Sequence, residues 1–143
     1  MTKGKIFLSY RRDDSEAETR TIQIALVQSG YDVFIDRIGI QPGDRWKDKI
    51  KNALRDSSIV ISVIGDKWLT SSDLDGRRRI DGDEDWVRFE LGTALETDKT
   101  IIPLLINKAQ MPAPKSLPDN LRNYQAGKPS PVHKKTGRMT LRI

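Results

Sequence analysis

A tryptophan and a glutamate four residues apart are the pair in this sequence best suited to stabilise a cation. They are Trp86 and Glu90, in the segment WVRFE. At about 100° per residue of helix, the two side chains lie about 40° apart on one side, separated by one turn. Both border an apolar stripe of Val87, Leu91 and Ala94, so we expect a poorly solvated carboxylate beside an indole that can face a flat ring or a cation. The alternative interpretation makes Trp86 a half-buried anchor and Glu90 a surface acid paired with an arginine.

A second polar cluster follows an apolar run directly, in the segment KIFLSYRRDD. We expect Tyr10, Arg11 and Arg12 to stand where a strand leaves its sheet, so that their side chains line the rim. At that rim the charged side chains need not be buried. The alternative is that the two arginines only pair with Asp13 and Asp14 in solvent, which is the usual fate of such runs.

The elements that would position these residues are read from apolar patterning. Short β-branched runs predict four buried strands, at residues 5–10, 31–35, 58–64 and 100–106. Three amphipathic helices separate them: one from a capping box of Ser15 and Glu18 to Gly30, one capped by Asp44, and one from about Asp85 to Thr97. This alternation predicts an α/β, flavodoxin-like doubly wound parallel sheet of four to five strands flanked by helices. Ligands bind outside the carboxyl ends of such strands, the edge where both polar clusters and Asp36 are expected.

Length and composition narrow the function classes. The 143 residues fit one domain at 1–125, followed by a basic tail at 126–143 that lacks a good apolar run and is expected to fray. Zero cysteines and a single His133 exclude thiolate metal sites, cysteine nucleophiles, histidine triads and zinc clusters. Five of the 25 basic residues lie in the tail, which leaves 20 basic against 20 acidic residues elsewhere, so we expect no specific nucleic-acid partner.

The expected compartment is the cytoplasm. No apolar stretch reaches the roughly 20 residues that span a bilayer, and the apolar region of MTKGKIFLSY is too short for a secretory signal. We therefore expect no membrane partner, although export as an effector stays an alternative.

In order along the chain, five segments resemble the TIR domain family, in the bacterial form whose members include NAD-cleaving proteins. They are IFLSYRRDDS, VFID with IQPGDRW, VIGDKWL, GRRRIDGDEDWVRFE and IIPLLINKAQMPAP. The resemblance implies that Glu90 is the catalytic residue, four residues after Trp86. It implies substrate-binding roles at four places. These are the exit of the first strand with Tyr10, Arg11 and Arg12, the end of the second strand with Asp36, the start of the following helix with Trp46, and the start of the third helix with Trp86. The BB loop of the family corresponds to residues 36–44, with Gly39, Pro42, Gly43 and Asp44.

The activity implied by this resemblance is cleavage of the nicotinamide–ribose bond of NAD⁺. The products would be nicotinamide plus ADP-ribose or a cyclic ADP-ribose isomer. NAD⁺ would be the substrate, with no cofactor and no metal, and TIR–TIR self-association would activate the enzyme. In bacteria such a protein suggests antiviral defence or interference with a host.

Two other functions stay open. Many TIR domains act as non-enzymatic interaction modules that signal through the same BB loop. A phosphoacceptor receiver domain shares the fold type, and Asp13, Asp14, Asp66 and Lys108 imitate its acidic pair, acceptor and lysine. Arg11 and Arg12 displace that acidic pair from the strand end and would neutralise a magnesium site, which disfavours the receiver.

Overall fold

The structure is a computed structural model that describes residues 3–35 and 45–122. The described elements are β1 (Lys5–Ser9), α1 (Arg12–Gln28), β2 (Asp32–Ile35), α2 (Trp46–Asp56), β3 (Ile59–Ile64), α3 (Trp86–Glu96) and β4 (Thr100–Leu105). Three single-turn 3₁₀ helices lie at Arg79–Asp81, Pro114–Ser116 and Asp119–Leu121. In the part of the chain that is described, no helix combines the length and the apolar character needed to cross a bilayer.

The four described strands form one parallel sheet in the order β2-β1-β3-β4. This confirms the predicted doubly wound α/β fold. From β1 the chain passes to β2 on one side. It then crosses to the other side of β1, where β3 and β4 follow in order. The strand order therefore reverses between β1 and β3, where crevices for ligands form in open parallel sheets.

Helices cover both faces of the sheet, which is why the strands are mainly apolar and do not alternate between apolar and polar residues. On one face, Phe7 of β1 packs with Ile50 of α2 and Leu91 of α3 in a single buried cluster. On the other face, Leu8 of β1 packs with Ile22 of α1. Successive β1 side chains thus alternate between two separate cores.

The predicted capping box at the start of the first helix is wrong. Helix α1 begins three residues earlier, at Arg12, and bends at Ser15, whose φ of −148° is not helical. The Ser15 hydroxyl is buried and makes no hydrogen bond with another described residue. The Glu18 carboxylate instead accepts a hydrogen bond from Asn107 Nδ2 at 2.8 Å. Contacts from the loop after β4 therefore replace the local motif.

Several predictions lie outside the described residues. They are the helix cap at Asp44, the substrate-binding role of Asp36, the BB-loop residues Gly39, Pro42 and Gly43, and the basic tail at 126–143. The domain boundary at 125 and the upper count of five strands also stay predictions.

Candidate functional site

The Glu90 carboxylate is the central feature of the carboxyl edge of the sheet. The Glu90 side chain is 0% exposed, and Ser9 Oγ at the end of β1 donates a hydrogen bond of 2.8 Å to Oε1. Val87 and Leu91 on the same helix are buried beside it, as the spacing predicted. Glu90 is therefore not the surface acid of the alternative interpretation. A carboxylate is costly to bury, and buried carboxylates are enriched at functional sites.

An ion pair fixes the start of α3 against the end of β1. Arg11 Nη1 and Nη2 donate to the two carboxylate oxygens of Asp85 at 2.8 and 2.9 Å, and Arg11 Nε donates to the Trp68 carbonyl at 3.1 Å. The Asp85 side chain also accepts from the Arg88 amide, which makes it the N-cap of the helix. Arg11 is 4% exposed, and Nε, Nη1 and Nη2 all donate to protein groups. The alternative in which it pairs with Asp13 or Asp14 in solvent is therefore wrong.

The two predicted aromatic residues stack directly on each other. The Trp46 and Trp86 rings lie 5.1 Å apart between centroids with 18° between their planes. Phe89 of α3 packs edge-on against Trp46 at 5.4 Å. Each indole therefore has one face covered by the other. A substrate ring can stack only on an uncovered face unless the pair separates.

A cleft of about 960 Å³ lies beside Trp86. Its lining includes Tyr10, Arg11, Arg12, Trp86 and Val87 together with residues of the loop 73–85, and it includes neither Glu90 nor Trp46. Arg12 is exposed and forms no ion pair with another described residue, so its guanidinium is available to an anion. Tyr10 is 6% exposed and packs in the core on the α1 face, opposite Glu90.

The acidic pair that follows the arginines holds the loop after β3. Asp14 accepts hydrogen bonds from the Gly65 and Lys67 amides at 2.8 and 2.7 Å, and Asp13 accepts from Ser71 Oγ at 2.8 Å. Burial raises the pKa of Asp14, against the lowering effect of the two amides. The Ser71 hydrogen bond lowers the pKa of Asp13.

These contacts leave little support for a receiver domain. Both acidic side chains already bind protein groups, and the described residues contain no cluster of three or more acidic, histidine or cysteine ligands suited to a metal ion. The acidic pair therefore has a structural role in this chain.

Sequence reasoning missed two residues of this edge. Ser9 appeared only as the polar end of a strand, although a polar residue finishing an apolar run at a ligand-binding edge is a usable signal. Asp85 appeared only as a helix start. Its partner Arg11 is 74 residues away, and no local pattern could reveal that pair. Asp36 and the predicted loop residues lie outside the described residues, so this edge is described without them.

A parallel sheet with helices on both faces and a buried acid near its strand-order reversal defines a flavodoxin-like α/β domain with a candidate ligand site. A TIR domain family model matches residues 6–129, so the chain belongs to the TIR domain family. The resemblance seen in the sequence is thereby confirmed.

Named relatives of this chain include enzymes that act on NAD. The chain is 32% identical over 122 residues to the NAD(+) hydrolase tir-1 of Caenorhabditis elegans, a match that spans 82% of this chain and 11% of that protein. It is 23% identical over 122 residues to a probable 2′ cyclic ADP-D-ribose synthase of Brachypodium distachyon, with coverage of 83% and 49%. The chain thus spans about a tenth of the first relative's length and about half of the second's.

Solved structures of related domains confirm the fold. The TIR domains of the activated Roq1 resistosome superpose with a TM-score of 0.57 at 17% identity, covering 87% of this chain and 70% of that one.

Proposed function

We propose that this chain is a TIR-domain NAD⁺ nucleosidase and that Glu90 is its catalytic residue. The observation that carries the proposal is a fully buried carboxylate, hydrogen-bonded to Ser9, beside the reversal of strand order. Nothing in an apolar core requires an acid at this position, because burying a carboxylate opposes folding. Membership of the TIR family and the names of two relatives as an NAD hydrolase and a probable cyclic ADP-ribose synthase support the choice of substrate.

The reaction breaks the bond between ribose C1′ and the nicotinamide nitrogen. The bonding electron pair leaves with nicotinamide, which becomes neutral, and the ribose is left as an oxocarbenium-like cation. The Glu90 carboxylate would stabilise that developing charge in a site of low dielectric. Water then adds to C1′ and loses a proton to give ADP-ribose, or a nucleophile within the same molecule adds to give a cyclic isomer.

The surrounding residues take distinct roles in this proposal. Trp86, which lines the cleft, would stack on the nicotinamide or the adenine. Arg12 would neutralise phosphate, since Arg11 is engaged by Asp85. Trp46 would support Trp86 through their stacked rings and join the substrate site only if the pair separates. Tyr10 would take part in substrate binding at the border of the cleft.

Self-association would activate the enzyme. Glu90 is 0% exposed, so no substrate can touch its carboxylate until the side chains over it move. Contact with a second copy of the chain, through the predicted BB loop at 36–44, would supply the free energy for that movement. Activity should then rise more steeply than linearly with protein concentration.

A second function, a TIR–TIR interaction module without chemistry, is favoured by two observations. The cleft beside Trp86 does not include Glu90 in its lining, and the Glu90 carboxylate accepts a hydrogen bond from Ser9. Under this alternative the carboxylate would hold α3 against β1 and would never meet a substrate.

The test is NAD⁺ consumption with product identification, over a range of protein concentrations. Glu90→Gln keeps a carbonyl acceptor for Ser9 and removes the charge, so the fold should survive while turnover falls about 100-fold or more. Glu96→Gln is the matched control, because Glu96 is an exposed glutamate at the other end of the same helix. Full turnover in Glu90→Gln would exclude the catalytic role. A wild-type chain that self-associates but leaves NAD⁺ intact would favour the interaction module.

A further inference from the structure

We infer that Ser9 is a positioning residue that holds the catalytic carboxylate of Glu90 in its productive orientation. The inference rests on the proposed function. It assigns a role to a polar residue that ends the apolar run of β1. The segment KIFLS is apolar from Ile6 to Leu8 and then ends in a serine that is 0% exposed. At such a buried position an apolar side chain would pack equally well and leave no hydroxyl to satisfy.

The geometry gives Ser9 one partner of consequence. Its Oγ donates to Glu90 Oε1 at 2.8 Å, across 81 residues of sequence. A glutamate has several rotatable bonds, and a hydrogen bond to one oxygen fixes the rotation of the carboxylate about its last bond. Because Ser9 belongs to a strand with paired neighbours on both sides, the donor itself is held rigidly. Rate losses of about 10²-fold can follow from misplacing a reacting group by about 1 Å.

The neighbouring strand offers a matched control. Ser62 of β3 is the register partner of Ser9, and it is also 0% exposed. It lies between Val60 and Ile64, whose side chains pack on the α2 and α3 face, so by alternation Ser62 points to that same face. Its hydroxyl makes no hydrogen bond with another described residue. The two serines therefore match in type, sheet register and burial, and they differ in the hydrogen bond to Glu90.

Ser9 does not touch the substrate, which sets the kinetic signature. Removing its hydroxyl should lower kcat and leave KM unchanged, because binding is retained while stabilisation of the transition state is lost. We expect Ser9→Ala to lower kcat about tenfold, a typical consequence of loosening a supported catalytic group. Ser9→Cys keeps the volume with only a weak donor and should behave like the alanine variant, whereas Ser9→Thr keeps the hydroxyl and should retain most of the rate. Ser62→Ala should stay within about twofold of wild type, since it removes no hydrogen bond to the carboxylate.

The experiment is steady-state NAD⁺ cleavage by the wild type and these four variants at one protein concentration that supports turnover. Thermal melting followed by circular dichroism shows that each variant is folded at the assay temperature. A kcat loss in the alanine and cysteine variants, absent in the threonine and Ser62 variants, supports the positioning role. Equal effects of Ser9→Ala and Ser62→Ala, or a change in KM alone, would overturn it while leaving the proposed function intact. If Glu90→Gln retains full turnover or the wild type cleaves no NAD⁺, the proposed function falls and the inference with it.

Discussion

Arg11 and Arg12 are adjacent arginines in opposite environments, so the same substitution at both sites measures the cost of breaking the buried ion pair. The Arg11 side chain is 4% exposed and its partner Asp85 is 10% exposed, whereas Arg12 is exposed. Arg11→Met leaves Asp85 charged and desolvated without its partner. Breaking a buried pair in this way typically costs about 3–5 kcal/mol of the free energy of unfolding. The Arg88 amide still donates to Asp85, so we expect the lower end, about 3 kcal/mol.

Urea unfolding followed by tryptophan fluorescence measures this difference. Arg12→Met should change the free energy of unfolding by no more than about 0.5 kcal/mol, as exposed substitutions usually do. In thermal melts the loss at Arg11 should correspond to a fall of about 10 °C in Tm. The double variant Arg11→Met with Asp85→Asn should recover about 1–2 kcal/mol of the free energy of unfolding. Asparagine can still cap α3, and it leaves no unpaired charge in the buried site. Equal losses at the two arginines, or no recovery in the double variant, would refute the buried pair.

Two further predictions concern the loop after β3. Gly65→Ala should lower the free energy of unfolding by about 1–3 kcal/mol in urea titrations, because an added Cβ would lie 2.5 Å from Asp14 Oδ1; a loss no larger than that of Gly82→Ala would contradict this. The Ser71 hydrogen bond lowers the pKa of Asp13 below 3.8, so its stabilisation is present above about pH 4 and is lost as the pH falls through the lowered pKa. Ser71→Ala should therefore be less stable than wild type at pH 6, by under about 1 kcal/mol since Asp13 is half exposed, and the two should converge near pH 2.

Local sequence patterns were sufficient to predict the fold and the part of the site that α3 carries. The four strands and the apolar stripe of α3 follow from runs and spacings of a few residues, because side-chain direction repeats every two residues in a strand and every 3.6 in a helix. The same periodicity placed Glu90 at the border of the stripe. Where a local motif met competing tertiary contacts, as at Ser15 and Glu18, the tertiary contacts prevailed.

By itself, the sequence determined the parallel α/β domain, its TIR resemblance and the helix that carries Trp86 and Glu90. Only the tertiary structure decided that Arg11 is buried while Arg12 is exposed, that the Trp46 and Trp86 rings stack, and that Ser9 reaches Glu90. The physical reason is distance along the chain. These contacts join segments tens of residues apart. The order of the strands brings such segments to one edge of the sheet, and periodicity within a few residues cannot predict which of them meet.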